Sequence, residues 1–193
     1  MRKIVAAEFI TLDGVYEAPG SDDTTLPEKR GWSMPFVSND VGQVIFESMQ
    51  NSDAMLLGRR TYADFAVYWT AVPADDPIGQ FMNNQAKYVV STTLDKAEWK
   101  NSMLIKGNVV EQLTRLKQQP GKNVTIVGSG VLVQSLLEAD LIDEFELMLC
   151  PVVLGTGKPL FKEGTSTRTM KVIEVKSFDT GMTVFRLQPE KKA

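Results

Sequence analysis

Three short polar turns in the sequence each follow an apolar run, and each has residue types suited to binding an anion. They are Gly58-Arg59-Arg60-Thr61, Ser91-Thr92-Thr93 and Gly128-Ser129-Gly130. At the carboxyl end of a strand, free backbone N–H groups and the dipole of a following helix both favour a phosphate. Each turn alone is a weak signal, because glycine after a strand is more often simple turn chemistry. The paired arginines say more, since a cation at a helix N-terminus is unfavourable unless an anion lies beside it.

Composition narrows the chemistry that these turns could serve. The chain has no histidine, which excludes the Ser-His-Asp triad, the Cys-His pair and imidazole metal sites. Its single cysteine, Cys150, lies in an apolar run and is predicted to be a packing residue, not a nucleophile. A lone cysteine forms no internal disulfide, as is typical of a reducing cytosol. Any chemistry must therefore rely on carboxylates, lysine, tyrosine or a bound cofactor.

Charge and hydropathy predict a cytoplasmic protein of one domain over residues 1–193. The net charge is -3 and the basic residues are scattered, so no general attraction to nucleic acid is expected. No apolar run approaches the roughly eighteen residues of a membrane span. The acidic residues Glu8 and Asp13 interrupt any signal-peptide core near the start. No repeat, linker or low-complexity tract divides the chain.

Alternating strand and helix patterns predict an α/β fold with a mixed sheet. Strands are predicted near 3–10, 54–57, 87–91, 103–105, 123–127, 144–153, 171–178 and 182–188, and helices near 40–50, 108–119 and 130–139. Strands that alternate with helices form parallel units, whereas the two runs around Asp179-Thr180-Gly181 are typical of an antiparallel hairpin. Residues 13–38 are rich in Gly, Pro, Ser and Asp, and a loop of this length is usually functional or disordered.

Taken in order, the motifs resemble those of the dihydrofolate-reductase-like superfamily. The resemblance covers nearly the whole chain and points to one-domain relatives of the reductase domain of the bifunctional riboflavin-biosynthesis deaminase-reductase. The segments that carry it are Thr11-Leu12-Asp13-Gly14, Leu57-Gly58-Arg59-Arg60-Thr61-Tyr62, Lys87-Tyr88-Val89-Val90-Ser91, Ile126-Val127-Gly128-Ser129-Gly130 and residues 151–161. The His/Cys zinc motif of the fused deaminase has no counterpart in this chain.

The resemblance implies a dihydrofolate-reductase-like fold, a mostly parallel sheet flanked by helices with a C-terminal hairpin, and an NADPH-dependent reductase. By the same resemblance, three sets of residues bind the cofactor: Gly58, Arg59, Arg60 and Thr61 at the pyrophosphate and 2′-phosphate, Ser91 and Thr92 at the adenosine phosphate, and Gly128, Ser129 and Gly130 near the pyrophosphate and nicotinamide. Adjacent arginines suit a 2′-phosphate, and no acidic residue in that turn is available for a ribose hydroxyl. We therefore expect NADPH to be preferred to NADH.

The proton donor, the substrate and the assembly are less defined by the sequence. Asp40 and Asp13 are the predicted catalytic acids, with Tyr16, Glu47 and ordered water as alternatives. Asp40 could equally serve only as a favourable charge at a helix start. The resemblance implies a small heterocyclic or ribosylaminopyrimidine-like substrate and a homodimer that uses residues 151–161. The alternative function is a nucleotide-binding or regulatory protein that keeps the fold without catalysis.

Overall fold

The computed structural model describes residues 1–20 and 26–190, which form one mixed eight-stranded sheet with helices on both faces. Part of the predicted 13–38 loop, residues 21–25, lies outside the described residues. The strands are β1 (Ile4–Thr11), β2 (Ser52–Gly58), β3 (Ala86–Val90), β4 (Ser102–Ile105), β5 (Asn123–Val127), β6 (Glu144–Cys150), β7 (Met170–Ser177) and β8 (Thr183–Pro189). The helices are α1 (Asn39–Gln50), α2 (Arg59–Ala71), α3 (Pro77–Asn84), α4 (Val109–Gln118) and α5 (Gly130–Glu138), and a 3₁₀ turn, Met34–Phe36, precedes α1.

The strand order is β4-β3-β2-β5-β1-β6-β8-β7. The first six strands in this order pair in parallel, and β8 pairs antiparallel with both β6 and β7. The predicted mixed sheet with a C-terminal antiparallel hairpin is therefore confirmed. Because the six parallel strands share one direction, their last residues all lie at one edge of the sheet, which we call the carboxyl edge.

Alternating residues of the strands build a separate core on each face of the sheet. In β1, Ala6 and Ile10 pack in a cluster with the apolar residues of α4 and α5. Ala7 and Phe9 point the other way, towards α1. The same alternation in β2 places Leu57 against α2 and α3. This burial of both faces explains why the parallel strands read as almost continuous apolar runs.

Helices α2 and α3 are missing from the sequence-based expectation of three helices. The apolar period of α2 is blurred, because Val67 and Tyr68 are exposed and no side chain caps its start. Helix α3 is short and begins with Pro77. The signal for its start is the N-cap residue Asp76, whose side chain accepts a hydrogen bond from Gly79 N at 2.6 Å. Both helices are held by packing on β2 and β3 more than by local signals.

The predicted extent of strand β6 to residue 153 is wrong. The strand ends at Cys150, because Pro151 has no N–H to continue the ladder. Cys150 itself is buried, as predicted, and burial raises the pKa of its thiol to about 12. A thiol with that pKa is not a nucleophile near neutral pH. Within residues 1–20 and 26–190, no helix has the length and apolar character needed to cross a membrane.

Candidate functional site

The three predicted anion-binding turns meet at the carboxyl edge. Strands β3, β2 and β5 are neighbours in the sheet, and each of the three turns follows one of them. Gly58 is the last residue of β2, Ser91 follows β3, and Gly128 follows β5. The structure therefore brings together residues that are up to about 70 positions apart in the sequence, as expected for ligand sites of parallel sheets.

Helices α2 and α5 begin at this edge with free backbone N–H groups. Neither helix has a side-chain cap, whereas Ser38, Asp76 and Asn108 cap α1, α3 and α4. Arg59 and Arg60, the first two residues of α2, are exposed and form no ion pair in the described part of the chain. Two uncapped helix starts and two unpaired guanidinium groups give this edge a positive potential that favours an anion.

Ser129 joins the turns that precede α2 and α5. Its Oγ accepts a hydrogen bond from Gly58 N at 2.8 Å and donates to Thr61 Oγ1 at 2.7 Å. The backbone of Ser129 is left-handed, with φ 69°, a conformation that costs free energy for a non-glycine residue. The hydroxyl groups of Ser129 and Thr61 thus bind each other and fix the spacing of the two helix starts.

The glycines at the edge are explained by packing between parts of this chain. A Cβ on Gly58 would lie 3.2 Å from Ser129 Oγ, and one on Gly128 would lie 3.1 Å from Thr61 Cγ2. A Cβ on Gly130 would overlap the ring of Tyr16, which lies against that residue. A ligand that approaches the backbone of Gly130 therefore has to displace the Tyr16 ring.

The two residues predicted to bind the cofactor in the turn after β3, Ser91 and Thr92, differ in their exposure to solvent. Ser91 is buried, and its Oγ accepts hydrogen bonds from Thr93 N at 3.1 Å and Leu94 N at 3.0 Å. Its hydroxyl oxygen closes the turn instead of facing solvent. Thr92 is exposed, so its hydroxyl group is the one that is accessible to a ligand.

Asp13, one of the two predicted acids, is a hydrogen-bond acceptor that holds residues 154 and 155. Its carboxylate accepts from Thr11 Oγ1 at 2.6 Å, Leu154 N at 3.2 Å and Gly155 N at 2.7 Å. The hydrogen bonds from Thr11 and Gly155 lower the pKa of Asp13 to about 2. A carboxyl group with that pKa has no proton to donate near neutral pH.

We expect the amide resonance of Gly155 to titrate with Asp13. The folded-state pKa lies below the ordinary value of 3.8, so the stabilising contact is complete above pH 3.8 and is lost as the pH falls through 2. Amide chemical shifts of Leu154 and Gly155 recorded against pH should show a midpoint near 2, and Asp13→Asn should abolish this titration. A midpoint near 3.8 would show that the contact is not formed in solution.

Asp40, the other predicted acid, lies at the same edge in the first turn of α1. It is exposed, and the helix is capped by Ser38, whose Oγ accepts from Val41 N at 3.4 Å. This placement suits a charge that favours the helix dipole and also leaves the carboxylate accessible to a substrate. Glu47 is farther along α1, exposed and bonded to Gln43 Nε2 at 2.9 Å. The catalytic role of Asp40 remains a prediction.

The family to which this chain belongs follows from its match to a family model. The model of the RibD C-terminal domain matches residues 2–184. The chain belongs to the RibD C-terminal domain family. The resemblance inferred from the motifs is thereby confirmed. YyaP of Bacillus subtilis (strain 168), an uncharacterized protein, is 28% identical over 187 residues, which cover 94% of this chain and 92% of YyaP.

Solved structures share the fold of this RibD C-terminal domain. A protein from Shewanella sp. PV-4, named for riboflavin biosynthesis, has a TM-score of 0.76 at 24% identity, over 98% of this chain and 99% of that chain. Dihydrofolate reductase from Enterococcus faecalis, solved in complex with NADP(H), has a TM-score of 0.60 at 16% identity, over 98% and 97% of the two chains. At these identities the likeness establishes the fold alone.

Two cavities in the described part of this RibD C-terminal domain lie away from the carboxyl edge. One of about 670 Å³ is at the opposite edge, beside Phe46, Phe81 and Lys122, and one of about 210 Å³ lies under α1, beside Glu146 and Arg186. Neither is lined by a residue that was predicted to bind the cofactor. Among the residues described, no group of three or more acidic or sulfur side chains could hold a metal ion.

Sequence reasoning missed two residues beside the turn that follows β5. The sequence suggests Tyr16 only as an alternative proton donor, whereas in the structure its ring covers Gly130. Glu8 is a carboxylate within an apolar strand, and it is only 3% exposed. The signal for Glu8 was present, because a charged residue inside a buried parallel strand is rare and usually has a partner or a function.

Proposed function

We propose that this protein is a cytoplasmic NADPH-dependent reductase that acts on a small heterocyclic or ribosylaminopyrimidine-like substrate. The observation that carries the proposal is the pair Arg59 and Arg60, unpaired among the described residues, at the uncapped start of α2. An anion with the geometry of a 2′-phosphate would satisfy both guanidinium groups, which otherwise lie unfavourably at the positive end of a helix. The free, buried Cys150 is compatible with a reducing compartment.

Different residues at the carboxyl edge would bind different parts of an elongated dinucleotide. Arg59 and Arg60 would hold the 2′-phosphate, and the first N–H groups of α2 and α5 would hold the pyrophosphate. Thr92 would contact the adenosine end, while Ser129 keeps the two helix starts at a fixed spacing. When bound, NADPH supplies a hydride. The chain must then orient the substrate, exclude water and supply a proton.

Family membership supports a reductase of the riboflavin-pathway type. A solved relative from Thermotoga maritima carries the name of a 5-amino-6-(5-phosphoribosylamino)uracil reductase joined to a deaminase, and this chain covers 57% of it at 15% identity. NADP(H) in the dihydrofolate reductase of Enterococcus faecalis supports the choice of cofactor. The substrate of this chain is inferred by analogy from these names.

Cofactor binding and turnover test the proposal separately. NADPH should raise the melting temperature, because a ligand that binds only the folded state stabilises it by mass action. The protein should then consume NADPH with one member of a panel of pterins, ribosylaminopyrimidines and small carbonyl compounds. The low pKa of Asp13, about 2, favours the alternative, a nucleotide-binding or regulatory protein that keeps the fold without catalysis. Tight NADPH binding without consumption would support that alternative, and no binding would exclude both.

We also propose that the protein is a homodimer that uses residues 151–161. In this segment Val153 is 65% exposed and Phe161 is 40% exposed, and the outer strand β7 adds exposed Val172 and Val175. Exposed apolar side chains beside an unpaired strand edge are typical of an interface. Light scattering should give twice the chain mass of 21.4 kDa. A monomer mass at micromolar protein would contradict the dimer.

A further inference from the structure

Glu8 is a buried carboxyl group to which the proposed function gives no role. It lies in β1, and its Oε1 is enclosed and has no hydrogen-bond partner among the described residues. Burial raises the pKa of Glu8 well above its usual range, because an apolar surrounding favours the neutral carboxyl form over the charged one. An enclosed polar atom without a partner destabilises the folded state, and a residue with only a packing role would be apolar here.

The sheet register places Glu8 beside the turn that follows β5. Ala7 pairs with Val127, the last residue of β5, so Glu8 lies level with Gly128. The residues two before and two after Glu8 point to the same face and pack in the core cluster that includes the first turn of α5. Glu8 therefore lies beneath the start of α5, next to the turn whose N–H groups the proposed function assigns to the pyrophosphate and which the family resemblance also places near the nicotinamide.

Three carboxyl groups near this edge, those of Asp13, Asp40 and Glu8, differ in burial and in hydrogen bonding. Asp13 has a pKa of about 2 and is held by two backbone N–H groups. Asp40 is exposed at the start of α1. Only Glu8 combines burial with an oxygen that no other group in the described chain occupies. A carboxylic acid that stays neutral in an apolar site is a known means of donating a proton or hydrogen bond near neutral pH.

We propose that Glu8 is the acid that protonates the substrate at the carboxyl edge, an inference that rests on the proposed reductase function. As the substrate carbon takes the hydride, the O–H bond of Glu8 breaks and an N–H or O–H bond forms on the neighbouring substrate atom. The carboxylate that remains on Glu8 then takes up one proton from solvent, so each turnover consumes one proton. The products balance as the oxidised cofactor, the reduced substrate and the restored acid.

Tyr16 controls access to Glu8 in this arrangement. Its ring covers Gly130 and packs against the same core cluster that surrounds Glu8. A cofactor that enters against Gly130 must displace this ring, which opens the cluster at the turn beside Glu8. The enclosed position of Oε1 in the ligand-free protein is therefore compatible with contact in the complex, since catalytic hydrogen bonds often form only when the ligands are bound.

Infrared spectroscopy tests the state of Glu8 without a substrate. The spectrum of the unmodified protein minus that of Glu8→Gln should contain the C=O band of a protonated carboxyl group at neutral pH, and NADPH should shift this band. Glu146→Gln is the matched control, because Glu146 is also buried with a raised pKa but lies on the α1 face, where it accepts from Ser48. The Glu146 difference band should not respond to NADPH. Absence of the Glu8 band, or a band that ignores bound NADPH, would overturn the inference.

Kinetics with the substrate found in the panel tests the proton transfer. Glu8→Gln should lower kcat about 100- to 10,000-fold, the range for a lost general acid, with KM and the dissociation constant of NADPH little changed. Glu146→Gln should retain full turnover, and thermal unfolding should show that both variants are folded. Full turnover by Glu8→Gln would exclude Glu8 as the donor while the reductase function stands. Failure of the unmodified protein to bind NADPH would instead reject the function itself.

Discussion

Replacement of Arg59 or Arg60 by alanine is expected to weaken NADPH binding about ten- to a hundredfold and to leave NADH binding almost unchanged. The two cofactors differ by a 2′-phosphate with close to two negative charges, which must be desolvated on binding. One charge-assisted hydrogen bond is worth roughly 1.5 to 3 kcal/mol, and this free energy gives the expected factor. Isothermal titration calorimetry of both cofactors with both single variants measures it.

The matched controls separate a specific contact from a general loss of charge. Arg115→Ala removes an exposed arginine from α4, where Arg115 pairs with Glu111 away from the carboxyl edge, and should leave both affinities unchanged. Arg59→Lys keeps the charge but loses the planar pair of donors, so NADPH binding should fall by an intermediate factor. Equal weakening of NADPH and NADH in the alanine variants would contradict a 2′-phosphate site at these arginines.

The meeting of the three turns at one edge could be predicted from the sequence because the signals for strand ends are local. Glycine, serine and threonine directly after short apolar runs mark strand ends, and parallel strands bring these ends to one edge. The contacts that shape the edge could not be predicted, because they join distant residues. Ser129 and Thr61 are 68 positions apart, and Asp13 and Gly155 are 142 apart. No pattern within one element indicates that a serine will bind a particular threonine across the sheet.

Proton chemistry was harder to predict than anion binding, for a related reason. Asp13 and Glu8 are both carboxylates near the end of β1, but one has a pKa of about 2 and the pKa of the other is raised well above its usual range. The difference comes from the hydrogen bonds that Thr11 Oγ1 and two backbone N–H groups of a distant segment donate to Asp13, and from an apolar cluster that encloses Glu8. Tertiary contacts, and not residue type, decide which carboxyl group can donate a proton.

Lys87 shows the same dependence on tertiary structure, with consequences for stability. The sequence places it in a strand and in a family motif, where a solvated lysine would be the ordinary expectation. In the structure it is completely buried. Its Nζ donates to Asn83 O at 2.9 Å, Gln85 O at 2.9 Å and Lys100 O at 3.0 Å, and lies 4.0 Å from the centre of the Trp99 ring. One ammonium group thus joins the end of α3, the start of β3 and the segment before β4.

Lys87→Met is expected to lower the free energy of unfolding by about 2 to 4 kcal/mol. Methionine keeps most of the apolar stem but leaves three carbonyl groups without their donor, and each enclosed, unpaired acceptor costs about 1 to 3 kcal/mol before the structure relaxes. Urea unfolding measures the loss. The control Lys96→Met removes a lysine whose side chain is 77% exposed and should change the value by less than about 0.5 kcal/mol. Equal stability of the two variants would show that the Lys87 contacts contribute nothing.

The pH dependence of the free energy of unfolding, compared between the unmodified protein and Lys87→Met, gives an independent test. Burial, and to a smaller extent the charge of Lys100, lowers the pKa of Lys87 from 10.5 to about 8. Between these two values the unfolded chain binds more protons than the folded chain, so unfolding becomes less favourable as the pH rises. Below pH 8 both states are protonated and the effect is constant. The stability of the unmodified protein relative to Lys87→Met should therefore increase from pH 8 to pH 10.5. A flat difference across this interval would mean that the three carbonyl groups and Trp99 hold the ammonium form as strongly as water does.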